Sequence, residues 1–126
     1  MIHLDTHVVV WLYAGEVDRF PEAARAALER DTLAVSPAVV LELQYLHEIG
    51  RLSVPARDVM DDLRERIGLG LAESDFAAVV SKALAQSWTR DPFDRLIAAH
   101  SLADDVPLLT ADRTLRDRLP TAFWDL

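Results

Sequence analysis

Three short runs, IHL at Ile2–Leu4, LAV at Leu33–Val35 and VPLLT at 106–110, each lead straight into a stretch with helical punctuation. The runs are apolar rather than strictly alternating, so they do not read as strands with one face in water. A strand that is apolar on both faces must be covered on both faces. That condition is met by a parallel sheet lying between layers of helices.

The punctuation between the runs agrees. Thr6 begins a stretch through 8–13 that Gly15 closes as a candidate C-cap. Pro21 opens PEAARAALERD, with Glu22 in the favourable first turn. Ser36 and Pro37 cap a third helix that runs to Ile49 and stops at Gly50. Further helices are expected over 55–67, from Ser74 or Asp75 to about Ser87, from Asp91-Pro92 to near Ala103, and over 112–119. Short strands are expected at 69–72, where Gly68 and Gly70 weaken the pattern, and at 122–124. The expectation is one three-layer α/β/α domain over 1–126, with a mostly parallel sheet of five strands.

Composition removes whole classes of chemistry. The chain has no cysteine, which excludes disulfides, thiolate zinc sites and cysteine nucleophiles. An apolar fraction of 51% beside 27% charged residues argues against disorder. No apolar run reaches the roughly 18 residues of a membrane span, and no basic segment precedes the N-terminal apolar stretch. A cytoplasmic protein without a membrane partner is therefore the expectation. The net charge of −8 argues against gripping nucleic acid by bulk positive potential. It leaves room for a nuclease whose carboxylates hold cations, since the ions reverse the local sign.

Open α/β sheets bind ligands beyond the carboxyl ends of their strands. Four acids are delivered there. Asp5 follows the first strand, Glu42 lies early in the helix after the second, and Asp94 lies in the first turn of the helix opened by Asp91. Asp112 sits just past the run 106–110. A helix of about 12 residues from Pro92 descends roughly 18 Å. The five-residue strand after it climbs back roughly 17 Å. Asp94 and Asp112 should thus end level with Asp5. Glu42 falls inside the apolar arc of its helix, between Leu46 and Ile49, with Val39, Leu43 and Tyr45 beside it. A Glu there must be paired, protonated or bound to a cation.

Singly, Asp5, Asp91 and Asp112 read as helix caps, with Asp94 as a capping-box-like companion of Asp91. Convergence of four acids is what caps do not predict. Crowded carboxylates cannot all ionise without a cation, and oxygen-only ligands favour Mg²⁺ or Mn²⁺. The implied chemistry is metal-dependent phosphodiester hydrolysis. Arg95 and Arg113 are candidates either for substrate phosphate contacts or for structural ion pairs.

The segments LDTH at 4–7, Glu42, DPFDRLIAA at 91–99 and LLTAD at 108–112 resemble PIN-domain ribonucleases, most closely VapC-type toxins of type II toxin–antitoxin pairs. The resemblance covers essentially the whole chain. It implies a parallel five-stranded sheet between helices and an acidic cluster that binds Mg²⁺ or Mn²⁺ to cleave RNA. It places Asp5, Glu42, Asp94 and Asp112 at the four acidic positions, with Asp91 as a cap that assists and Thr6 and Thr110 as small polar supports. It further implies a homodimer and a cognate antitoxin, VapB-like, whose segment enters the acidic groove. Trp11, Trp88 and Trp124 are candidates for partner contacts or for core.

Two rivals make different demands. A phosphotransfer domain using Asp5 as acceptor needs a Lys near the phosphate, and the single Lys, Lys82, lies in the middle of the helical run VVSKALAQ. A non-catalytic binding module predicts a missing acid, and none is missing. His3, Asp5 and His7 also form an H-x-D-x-H that resembles a strand-borne metal triad. Because Thr6 begins a helix, His7 leaves the strand face. His3 is expected below the site as a packed, neutral side chain, and His7 as a neighbour of Asp5 and not a ligand.

Overall fold

The computed structural model describes residues 1–125. Its elements follow the order β1 (Ile2–Leu4), α1 (Thr6–Ala14), α2 (Glu22–Arg30), β2 (Leu33–Val35), α3 (Pro37–Glu48) and α4 (Ala56–Ile67). They continue with β3 (Gly70–Leu71), α5 (Phe76–Ala83), α6 (Pro92–Asp104), β4 (Leu108–Leu109), α7 (Arg113–Arg118) and β5 (Ala122–Phe123), and a 3₁₀ turn at Val17–Arg19 joins α1 to α2. The strands form one sheet in the order β3-β2-β1-β4-β5, and every pairing is parallel.

The topology decides where a site can form. The chain steps from β1 to β2 to β3 in one direction, then crosses back to β4 and β5. Right-handed crossovers therefore carry α1 to α4 over one face and α5 to α7 over the other. Ile2, Leu4, Leu33, Val35, Leu108 and Leu109 are all almost completely buried, which accounts for the lack of alternation in their runs. The direction reverses between β1 and β4. Helices leaving these two neighbours part to opposite faces and open a crevice beyond their carboxyl ends. In that pair His3 lies beside Leu108 and Leu4 beside Leu109.

Local chemistry sets the boundaries. Asp5, Ser36, Asp75, Asp91 and Asp112 each accept a backbone N–H at the start of the following helix. Gly15 and Gly68 end α1 and α4 in the left-handed conformation, at φ 72° in both cases. One expectation needs correction: α5 stops at Ala83 instead of running to Ser87. The Arg95 guanidinium caps the carbonyls of Ala83 and Leu84, and the Ala85 and Gln86 amides turn back to Lys82 and Ala83 there. Among the described residues no helix is long and apolar enough to cross a membrane.

Candidate active site

At the β1–β4 crevice the carboxylates are held by two threonines. Asp5 caps α1 through Oδ1, which accepts the Thr6 amide at 2.8 Å. Its Oδ2 accepts the Thr110 hydroxyl, also at 2.8 Å. That hydroxyl in turn accepts the Asp112 amide at 3.0 Å. The Thr6 hydroxyl donates to Oε1 of Glu42, which lies on α3. Asp112 caps α7 by accepting the Leu115 amide at 3.0 Å. Asp91 caps α6 by accepting the amides of Phe93 and Asp94, which fixes the turn that carries Asp94.

Asp5, Glu42, Asp94 and Asp112 line one cleft of about 290 Å³, walled by α1, α3 and the first turn of α6. Burial pushes the Asp94 carboxyl up to about 7, with the charges of Asp91, Asp5, Asp112 and Glu42 adding to the effect. Burial also raises Glu42, against the Thr6 hydrogen bond that favours its ionised form. These acids thus face one another closely enough to oppose their own ionisation. Among the described residues no three His, Asp or Glu side chains are already drawn into a ligand set for a single ion. The donor chemistry nevertheless fits a hard divalent cation: every acidic group is an oxygen donor, and the charge that raises Asp94 is what such an ion offsets.

Other expected residues fall in different places. Tyr45 and Ile49 are 48% and 47% exposed, so only Val39 and Leu43 of the α3 stripe enter the core. Glu42 consequently sits at the boundary between core and cleft. Arg95 is committed to the end of α5, as described above, and Arg113 is exposed at the start of α7. His3 is 1% exposed, and its Nε2 lies 3.0 Å from Asp104 Oδ2, away from the cleft. Burial lowers its pKa, although Asp104 opposes that shift. Trp124 is buried, and Trp88 is half-buried with its indole N–H bonded to Gln86.

Of three further wall residues, His7 was expected beside Asp5 and Trp11 as a partner contact or core, while Arg51 escaped the sequence reading. His7 accepts the Ala111 amide at Nε2, 2.8 Å away, and its Nδ1 lies 3.6 Å from Asp5 Oδ2. Trp11 follows one turn later on the same face of α1, with its ring 4.9 Å from that of His7. Arg51 reaches the cleft from the loop after α3, where Gly50 turns the chain at φ 82°. The signal for Trp11 is its i, i+4 spacing from His7. For Arg51 the only signal is the preceding glycine.

A family model described as PIN domain matches residues 2–118. The chain belongs to the PIN-domain family. This PIN protein is 36% identical to Ribonuclease VapC22 of Mycobacterium tuberculosis (strain ATCC 25618 / H37Rv) over 128 residues, 96% of each chain. Its fold is shared with solved structures. VapBC2 from Rickettsia felis, bound to a DNA fragment from its promoter, aligns with TM-score 0.68 and 22% identity, covering 99% of this chain and 100% of that one. VapBC-1 from nontypeable Haemophilus influenzae aligns with TM-score 0.63 and 18% identity, covering 99% and 97%. The sequence leads one to expect a mostly parallel five-stranded sheet, and in this PIN domain all five strands are parallel.

Proposed function

We propose that this PIN protein is a Mg²⁺- or Mn²⁺-dependent endoribonuclease. In this reading it is the toxin of a toxin–antitoxin pair and inhibits growth when free of its antitoxin. The observation that carries the reading is the shared cleft in which Asp94 is raised to about 7 by burial and by its acidic neighbours. Full-length similarity to a protein named as a ribonuclease supports the reaction class.

Asp5, Glu42, Asp94 and Asp112 would hold the ion, with Asp91 fixing the turn that presents Asp94. A bound Mg²⁺ or Mn²⁺ supplies Lewis-acid activation for phosphodiester hydrolysis. The chain's own residues do the rest. Thr110 and Thr6 keep the carboxylates of Asp5 and Glu42 aimed through their hydroxyl hydrogen bonds. The Asp94 carboxyl, raised to about 7 without an ion, would be held ionised by the bound cation. Arg51 on the cleft wall is placed to meet a backbone phosphate, with exposed Arg113 a second contact. The acidic cleft also suits an antitoxin segment carrying Arg or Lys, and the fold shared with VapBC complexes supports a VapB-like partner. The active assembly in this reading is a homodimer.

The test is incubation of the purified, partner-free protein with total RNA, with Mg²⁺, with Mn²⁺ and with EDTA, beside Asp5→Asn and Asp94→Asn. Cleavage with metal alone, lost in both variants, is the expected result. RNA left intact with either ion overturns the catalytic reading. Variants that cut as well as the parent overturn the site assignment.

A further inference from the structure

The acidic cleft does not end at its carboxylates. A second, shallower depression of about 240 Å³ is lined by His7, Trp11, Ala111 and Asp112. His7, Trp11 and Asp112 also line the acidic cleft, so the two hollows share a wall. Whatever occupies the shallow one lies immediately beside whatever is held among the acids.

Two rings dominate that wall, and both are fixed. The Ala111 amide pins His7 at Nε2, and Trp11 packs against it at 53°. Phe20 and Trp124 pack against Trp11 in edge-type contacts, at ring separations of 6.2 Å and 5.8 Å. The Arg19 guanidinium lies 4.7 Å from the centre of the Trp11 ring, and Glu16 holds Arg19 at 2.7 Å. Arg19 covers one face of Trp11. The 29% exposed His7 ring and the uncovered part of Trp11 are left as an apolar surface, held by these contacts, that costs little ordering entropy on contact. Flat heteroaromatic rings stack on such surfaces.

We propose that the His7–Trp11 depression is a subsite for one unpaired nucleobase of the RNA, adjoining the phosphodiester that is cleaved. The proposal rests on the ribonuclease reading above. A paired base has both faces covered by its helical neighbours, whereas a base in a single strand or loop can be laid on an aromatic platform. The subsite therefore selects for unpaired RNA at the cut. Stacking discriminates weakly among bases, so the subsite contributes affinity more than sequence preference.

The experiment begins from the cut positions mapped in total RNA. A single-stranded oligoribonucleotide spanning one cut is synthesised, and each flanking nucleotide in turn is replaced by an abasic residue. Unaltered protein is assayed for KM and kcat, and equilibrium binding is measured on the Asp94→Asn protein. One abasic position is expected to weaken binding by between about 5- and 150-fold, the span that stacking one base supplies. In Trp11→Leu, checked for folding by thermal melting, that penalty should shrink to less than about twofold, and Trp11→Phe should restore most of it. A series with no sensitive position overturns the subsite while leaving the nuclease reading intact. So does a penalty that persists in Trp11→Leu. Total RNA left uncut by unaltered protein overturns the nuclease reading and the subsite with it.

Discussion

The Ala111 amide donates to His7 Nε2 at 2.8 Å, joining the first turn of α1 to the loop that carries Asp112. Because Nε2 is the acceptor, neutral His7 carries its proton on Nδ1, the nitrogen 3.6 Å from Asp5 Oδ2. One ring thus ties the Asp112 loop in place and turns a donor toward Asp5. A glutamine can place an amide oxygen near the position of Nε2, and leucine cannot. His7→Leu is expected to lower RNA cleavage by about tenfold or more and to cost about 1 kcal/mol in urea unfolding, the net worth of a hydrogen bond. His7→Gln should recover most of both. Equal loss in the two variants would mean that ring packing on Trp11 matters and the bond to Ala111 does not.

Asp94 makes the metal-free protein sensitive to base. Its folded pKa is raised from 3.8 to about 7. Between those values the unfolded chain binds fewer protons than the folded one, so stability falls as pH rises from about 4 to 7 and then levels off. Urea midpoints in EDTA should show this decline, and Asp94→Asn should reduce it to the smaller part that raised Glu42 contributes. Adding Mg²⁺ or Mn²⁺ should restore the loss near pH 7, since a ligand that binds only the folded state stabilises it.

Glu42→Gln keeps an oxygen to accept the Thr6 hydroxyl and removes a negative charge whose pKa burial already raises. Metal-free thermal stability should be unchanged or higher. The increase in Tm on adding Mg²⁺ should shrink at the same time. A large loss of metal-free stability would point to a structural ion pair at Glu42.

His3 and His100 impose the opposite pH dependence from the far end of α6. Burial lowers both, while Asp104, whose Oδ2 lies 3.0 Å from His3 and 3.6 Å from His100, partly opposes the shift. With folded values below the unfolded value of about 6.5, the unfolded chain binds more protons, and stability drops as pH falls through that value. Asp104→Asn should steepen the drop. Measuring it in an Asp94→Asn, Glu42→Gln background removes the competing slopes of both raised acids.

The two arginines separate by role. Arg95→Ala should lower Tm by exposing the end of α5 and leave RNA affinity nearly unchanged. Arg51→Ala should leave Tm unchanged, weaken RNA binding, and reduce the dependence of log K on log salt by about one. Filter binding at several salt concentrations reads both.

Sequence showed most clearly what is repeated locally. Apolar runs marked β1, β2 and β4 because both faces are covered, and capping residues marked where α1, α3, α6 and α7 begin. Asp5, Asp94 and Asp112 were found through positions after strands and in a first turn, and Glu42 through its helical arc, though Tyr45 and Ile49 of that arc are exposed. What stayed hidden depends on partners distant in sequence. The carbonyls at the end of α5 are capped by Arg95, eleven and twelve residues onward. Arg51 enters the cleft because of one turn at Gly50. His7 was correctly separated from a strand triad, yet its bond to Ala111 spans 104 residues and no local pattern encodes it.

The reversal of strand order between β1 and β4 has a further meaning for the life of the chain. Asp5 and the Thr110 hydroxyl that holds it are 105 residues apart in the chain, and Asp112 bonds to that same hydroxyl. Their meeting requires β4 to slide in beside β1, a pairing of high sequence separation that is slow to close. No fragment, nascent segment or half-folded intermediate lacking β4 can assemble this cleft. The acidic cleft therefore depends on the β1–β4 pairing, the longest-range contact of the sheet's centre.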